Sequence, residues 1–470
     1  MRASILISKS ALLTVICLAR SLQPGVASAD PTLAILHSFT GPPDGSAPLA
    51  RLIFDGSGTL YGTTSEGGPI NAGCLPDCGT VFKLTRTTEG GPWTETVLYS
   101  FMGRNGAVPQ AGLIVDKLGA LYGTTAVGGD NNSGTVFKLT PPATEGGAWT
   151  ESVLHSFSGS NGAFPRAGLI FDDAGALYGT TGGGGLYGTV FKLSPPTVSD
   201  GAWTHSLLYR FRGPDGANPE AGLMFDRSRA LYGTTANGGV TRASCAGGCG
   251  TVFRLMPPSR TGGAWTETML HSFRRSDGAL PTGSLIFDKS GALYGTTRFG
   301  GAVNQGTVFK LQPPARTRGT WTESVLYSFS GNLKRNDGAQ PQSDLIFDDA
   351  GALYGTTEFG GGKSSSCNNP KGCGTVFKLT PPIKKGKAWT ETVLHSFTRN
   401  DGAFPIAGLI LNKTPDYNDE DRRDLRFHRA IYGTTFTGGA KSASCVPDGP
   451  NVCGTVFKLT LPTQELDGDR

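Results

Sequence analysis

Residues 167–193 read AGLIFDDAGALYGTTGGGGLYGTVFKL. Ala167 to Asp172 (AGLIFD) is an apolar run that ends at the turn Asp172-Asp173-Ala174-Gly175. Ala176 to Thr181 (ALYGTT) follows, and a glycine loop leads to Gly188 to Leu193 (GTVFKL). Pro195-Pro196 and Gly201 then break the chain, and Trp203 to Phe211 (WTHSLLYRF) supplies a fourth run of β-formers. Short runs rich in Val, Ile, Thr, Tyr and Phe, bounded by Gly, Pro and Asp, are antiparallel strands joined by tight turns. The proline pair falls between strands, where no ladder N–H is needed.

The same phrases recur along the chain. Tyr-Gly-Thr-Thr begins at 61, 122, 178, 232, 294, 354 and 432, a mean step of about 62 residues. Gly-Thr-Val-Phe begins at 79, 134, 188, 250, 306, 374 and 454. A [His/Tyr]-[Ser/Arg]-Phe triplet begins at 37, 99, 155, 209, 271, 327 and 395. Four antiparallel strands in each of seven copies predict an all-β chain forming one seven-bladed β-propeller. A blade lies between two neighbours, so its strands are apolar on both faces. No segment holds a 3.6-residue period, so helix should be scarce. Gly at 70 of 470 residues with 17% charged residues fits a turn-rich β protein, and 9% aromatics excludes a disordered one. The blades are expected at about 48–101, 109–157, 165–211, 219–273, 281–329, 341–397 and 405–459, the last completed by 32–39. Leu33 to Phe39 matches the fourth strand of a blade, and no seventh Trp-Thr phrase follows Leu459. The N-terminal strand should therefore close the ring beside Gly454 to Leu459, removing open edges.

Residues 1–29 read as a cleaved secretory signal peptide, leaving 30–470 as the propeller. Arg2 starts it, Ile5 to Leu18 is mostly apolar, and Ala27-Ser28-Ala29 is a small-x-small cleavage site. The apolar stretch is short of the ~20 residues that span a membrane, and no later run is long enough. The expected location is secreted or periplasmic. Loss of Arg2, Lys9 and Arg20 lowers the formal charge from +5 to +2. No Lys/Arg cluster follows one face, so nucleic acid is excluded as a partner class.

Cys17 leaves with the signal. The other cysteines form close pairs, Cys74/Cys78, Cys245/Cys249, Cys367/Cys373 and Cys445/Cys453. Each pair lies between Tyr-Gly-Thr-Thr and Gly-Thr-Val-Phe. Those loops have lengths 14, 8, 6, 14, 8, 16 and 18, and the cysteines occupy only the long ones. An exported chain meets oxidant, so the pairs read as disulfides stapling long loops. A zinc site would need four ligands, and no His accompanies any pair.

The combined phrase GLIFDxxGALYGTTxxGGxxxxGTVFKL resembles the tandem GloVer repeat of secreted bacterial proteins, over nearly all of 32–459. The resemblance implies a propeller-like repeat and brings no catalytic residues with it.

Positions alike in every copy serve geometry. His37, His155, His271 and His395 share one position with Tyr99, Tyr209 and Tyr327, which marks a packed, hydrogen-bonded aromatic and not a general base. Trp93, Trp149, Trp203, Trp265, Trp321 and Trp389 open the outer strand and read as structural. The Lys of GTVFKL should pack its stem and expose its head. With AGLIFD innermost, the loop before it and the glycine loop emerge on one face. That preceding loop carries Asp44, Asn105, Asn161, Asp215, Asp277, Asp337 and Asp401 before a glycine. These form either a turn, which Asx-Gly favours, or, through Asp44, Asp215, Asp277, Asp337 and Asp401, a carboxylate ring at the channel mouth for a hard cation such as Ca²⁺. The residue after the loop proline varies as Leu49, Gln110, Arg166, Glu220, Thr282, Gln342 and Ile406, and two positions on stand Arg51, Ser284 and Asp344. A mixed polar ring of this kind at the channel mouth suits a polar ligand such as a glycan or peptide. The insert Thr414 to Arg429 (TPDYNDEDRRDLRFHR) reads as a solvated loop on the opposite face.

No nucleophile elbow, HExxH, phosphate loop or EF-hand string is present, so no catalytic residue and no cofactor other than Ca²⁺ is assigned. The expected role is a non-catalytic scaffold binding a polysaccharide or an extracellular protein. The alternatives are a metal-dependent propeller enzyme of lyase or lactonase type, and a structural envelope component.

Overall fold

The computed structural model describes residues 30–68, 78–86, 91–144, 146–198, 201–260, 262–316, 319–362, 367, 371–384, 386–415, 427–439 and 453–462. The expected signal peptide, Cys74, Cys445 and most of the 414–429 insert lie outside them. The chain is a seven-bladed β-propeller of four-stranded antiparallel sheets. Among the described residues there is no helix, and none long and apolar enough to cross a membrane.

Blade 3 shows how the sequence builds a sheet. Its strands are Ile170–Phe171, Leu177–Thr181, Thr189–Ser194 and Thr204–Arg210, paired in chain order. The first turn is made by Asp172. Its carboxylate accepts the N–H groups of Ala174 and Ala176 at 2.9 Å and the Tyr178 hydroxyl at 3.1 Å. Gly175 supplies the positive φ (80°) that ends the turn. The buried Thr181 and Thr189 hydroxyls meet at 2.7 Å where the glycine loop leaves the sheet. Gly179 has no room for a side chain: a Cβ there would lie 2.7 Å from Phe191 Cζ and 2.9 Å from Leu169 Cδ2. The inner strand is two residues long, not the six of AGLIFD. Ala167 to Leu169 leave the ladder although the partner strand continues to Thr181, and the Ala167 carbonyl accepts the Thr124 hydroxyl of the blade before.

The core lies between blades. Ala120, Tyr122, Val136 and Phe157 of blade 2 pack with Leu169, Leu177, Phe191 and Leu193 of blade 3. Each tryptophan sits edge-on against the tyrosine of the preceding blade, as Trp203 does on Tyr122 at 6.3 Å. The Lys192 ammonium is not free. It lies 5.3 Å from the Tyr178 ring centre and 3.7 Å from Asp172 Oδ2.

The ring closes as expected. Thr32–Ser38 pairs with Thr455–Thr460, running from Thr32↔Thr460 to Ser38↔Thr455. A buried threonine in every blade donates its hydroxyl to a carbonyl at the start of the next. Thr124 reaches Ala167 O at 3.2 Å, and Thr434 of the last blade reaches Ala50 O of the first at 3.4 Å.

One backbone position departs from the usual conformations in every blade. Ala47, Val108, Phe164, Asn218, Leu280, Gln340 and Phe404, each followed by proline, have φ between 54° and 58°. Two backbone bonds impose this. The Phe164 N–H donates to Ser133 O of blade 2 at 2.9 Å, and its carbonyl accepts from Gly182 N of blade 3 at 3.0 Å. Left-handed backbone costs a non-glycine residue about 1–2 kcal/mol, and here it joins neighbouring blades.

Candidate functional site

The loop before the inner strand and the glycine loop share a face, bridged at Ala163↔Gly183 and at equivalent places in other blades. The ring positions on this face fall into separate groups. The Arg166 guanidinium donates to Glu220 Oε1 at 2.9 Å. Gln342 Nε2 donates to Glu358 Oε2 at 2.6 Å, and Arg298 donates to the same oxygen at 3.0 Å. Burial pushes the Glu358 carboxyl up, against the pull of Arg298 and Gln342. Ser284 N donates to Asp344 Oδ1 at 2.6 Å, and Ser284 Oγ accepts from Gly222 N at 3.0 Å. Arg51 and Asp344 flank Gly408, where a Cβ would lie 3.3 Å from Arg51 Cδ and 3.2 Å from Asp344 Oδ2. Thr282 Oγ1 is buried without a partner, and Gln110 makes no side-chain hydrogen bond among the described residues.

Blade 3 differs from the others on this face. Its glycine loop is the shortest. The serine that accepts a loop N–H in other blades, as Ser156 Oγ does from Asp130 N, is replaced by Arg210. Arg210 instead donates to Ser160 O at 2.7 Å and lies across Gly185. Around this short loop Phe164, Tyr187 and Leu186 are 42%, 39% and 86% exposed. A Cβ on Gly182 would lie 3.5 Å from the Phe164 carbonyl oxygen and 3.9 Å from Glu220 Cγ. Asn218 Nδ2 donates to Gly182 O at 2.9 Å. Blade 3 thus combines a short glycine loop, exposed aromatic rings and an ion pair to the next blade.

The loop carboxylates do not form a ring. Asp44, Asp215, Asp337 and Asp401 each cap their own loop and bond the outer-strand aromatic six to ten residues before them. Asp44 and Asp401 bond His37 and His395 at 3.0 Å, and Asp215 accepts from the Tyr209 hydroxyl at 2.6 Å. Asp337 accepts from the Ser330 N–H at 2.7 Å and from the Tyr327 hydroxyl at 3.3 Å. Burial pushes the Asp401 carboxyl up, but His395 and the Thr398 N–H together hold it below the ordinary value. Among the described residues only Asp277 of the five belongs to a group of possible metal ligands.

A second residue at these junctions comes from the next blade. Glu95, Glu267, Glu323 and Glu391 face Asp44, Asp215, Asp277 and Asp337. Burial first, and the facing carboxylate second, push all four glutamates up to about 7. In each, one buried carboxylate oxygen has no hydrogen-bond partner. Where the loop carries Asn161, the place is taken by His205. Its ring stacks on His155 at 4.4 Å, and burial followed by the His205 charge pushes His155 down to about 4.

The staples follow the sequence reading where they are described. Cys245–Cys249 and Cys367–Cys373 are disulfides with Cα separations of 5.4 and 5.8 Å. Cys78 and Cys453 are also disulfide-bonded, and their expected partners Cys74 and Cys445 lie outside the described residues.

The profile of the Gloeobacter/Verrucomicrobia repeat matches residues 25–243, 147–367 and 239–417. The chain belongs to the Gloeobacter/Verrucomicrobia repeat family. No curated protein matches this family member. Three solved structures have similar folds. A candidate 6-phosphogluconolactonase of Bacteroides uniformis is 13% identical at TM-score 0.43, over 73% of this chain and 83% of that one. A luciferin-regenerating enzyme is 14% identical at 0.39, over 76% and 93%. A protein of unknown function from Dyadobacter fermentans is 12% identical at 0.40, over 91% and 99%. At this distance the likeness carries nothing about activity.

Phe164, Tyr187, Arg298, Glu358 and the junction glutamates are absent from the sequence-based site. The residue after Tyr-Gly-Thr-Thr does hold a signal, varying as Ser65, Ala126, Gly182, Ala236, Arg298, Glu358 and Phe436.

Proposed function

We propose that this is an exported, non-catalytic binding protein that captures a glycan on its glycine-loop face at blade 3. One observation supports the reading above the rest: blade 3 departs from the repeat at several positions of this face at once. The loop is shortest, Arg210 replaces the loop-holding serine, Phe164 and Tyr187 are exposed, and Arg166 is ion-paired with Glu220 of the next blade. Exposed aromatic rings offer apolar faces to sugar C–H groups, and a charged pair orients hydroxyls. Clustered exposed apolar groups with polar neighbours mark interaction sites. The disulfides support an oxidising location outside the cytoplasm.

The test is calorimetric titration of the full chain with a panel of neutral and acidic cell-wall and plant oligosaccharides. Phe164→Ala should weaken the binding oligosaccharide about five-fold, the equivalent of ~1 kcal/mol, and Arg166→Ala by a similar factor. Failure of every oligosaccharide to bind, or equal affinity in both variants, would overturn the reading.

A further inference from the structure

The junction between blades 4 and 5 differs from its equivalents. His271 is the last residue but one of the outer strand of blade 4, Asp277 lies in the loop that follows, and Glu323 is the second residue of the outer strand of blade 5. One ligand-type atom from each lies within 4.8 Å of the others. At the two equivalent His–Asp pairs, His37 and His395 bond their aspartates at 3.0 Å. His271 Nε2 lies 3.3 Å from Asp277 Oδ2 but out of line for a hydrogen bond, buried and unpartnered. Glu323 Oε1 is likewise buried and unpartnered. Three donor groups thus converge with two of their atoms unsatisfied.

We propose that His271, Asp277 and Glu323 form a three-ligand site for a first-row divalent cation such as Zn²⁺, clasping blade 4 to blade 5. Imidazole and carboxylate oxygens are both zinc ligands, at about 2.0–2.2 Å. Ligand atoms on such bonds stand roughly 3.3 Å apart at a tetrahedral centre, which is the His271–Asp277 spacing. The cation would complete both unpartnered atoms and neutralise two facing carboxylates. The fourth position would be left to water. One other junction holds the same residue types, His37, Asp44 and Glu95, but there the histidine is already hydrogen-bonded to its aspartate at 3.0 Å; elsewhere Tyr99, Tyr209 and Tyr327 replace the histidine, Asn105 and Asn161 the aspartate, and His205 and Leu33 the glutamate.

Those natural replacements supply variants that the fold already accommodates elsewhere. Full-length protein stripped with EDTA is titrated with Zn²⁺ alone by calorimetry, with thermal unfolding as a second readout. The wild type should bind one tight equivalent and unfold at a higher temperature with Zn²⁺. His271→Tyr, Asp277→Asn and Glu323→Leu should each weaken that equivalent by more than ~10-fold and lose the thermal shift, while unfolding cooperatively without metal. His37→Tyr, at a junction whose histidine is already hydrogen-bonded, should leave binding unchanged. The proposal is overturned by the absence of a stoichiometric Zn²⁺ site, or by loss of it in His37→Tyr but not in His271→Tyr.

Discussion

Replacing Glu267 by Gln should make the protein more stable at pH 8 and leave it almost unchanged at pH 4.5. Glu267 comes from blade 4 and faces Asp215, which already accepts the Tyr209 hydroxyl and the Arg212 N–H. Burial, then the Asp215 charge, pushes its carboxyl from 4.5 up to about 7. A carboxyl raised in the folded state binds its proton more tightly there than in the unfolded chain. Its stabilising effect is therefore complete below about pH 4.5 and is lost as pH rises through about 7. The full shift corresponds to at most about 3 kcal/mol. Partial exposure to solvent cuts this to about 1–2 kcal/mol. Glutamine is isosteric, carries no charge at any pH, and can donate to Asp215. Urea midpoints of wild type and Glu267→Gln at pH 4.5, 6 and 8 measure the difference. Comparing the two proteins cancels the opposing titration of His155, whose lowered value removes stability as pH falls below about 6.5. A gap between the two proteins that does not grow between pH 4.5 and 8 would refute the reasoning. So would a glutamine variant less stable at pH 8.

Gly179→Ala should destabilise by about 1–3 kcal/mol, because its Cβ meets Phe191 and Leu169 inside van der Waals distance; an unchanged melting temperature would show that the inter-blade core yields. Phe164→Gly should raise the urea midpoint slightly, by roughly 0.5 kcal/mol, as relief of the left-handed φ outweighs the chain entropy of glycine. The same variant should lose oligosaccharide affinity, and a drop in both quantities would mean that Phe164 is there for packing. Cys245→Ser should cost about 2 kcal/mol in the chain-entropy view of so small a closed loop, read as a lower unfolding midpoint than that of the wild type under non-reducing conditions.

The repeat geometry was readable because its causes are local. Asp172, Gly175 and Tyr178 stand within one turn of chain and bond each other. Ring closure could be read from a missing Trp-Thr phrase at one end and a spare strand at the other. The junction glutamates were not readable, because Glu267 looks like any alternating residue of an exposed strand until the next blade is set against it. The left-handed residues were hidden for a related reason. Their φ is imposed by carbonyl and N–H groups of two different blades, so Ala47, Val108 and Phe164 have no side-chain feature in common. The bonds that Asp44, Asp215, Asp337 and Asp401 make to outer-strand His and Tyr residues were not readable, because those partners lie six to ten residues away across a turn. Arg166 and Glu220 were picked out singly, and only the fold shows them joined.

The closing ladder also sets how the molecule bears tension. Thr32 and Thr460 face each other at one end of that ladder, and Ser38 and Thr455 at the other. A pull that separates the two chain ends loads the Thr32/Thr460 rung alone, then the next, as a zip opens. Stretched between both ends, the ring therefore opens rung by rung at blade 7, with the other six blades still folded. Held from one end only, it hangs with every rung unloaded.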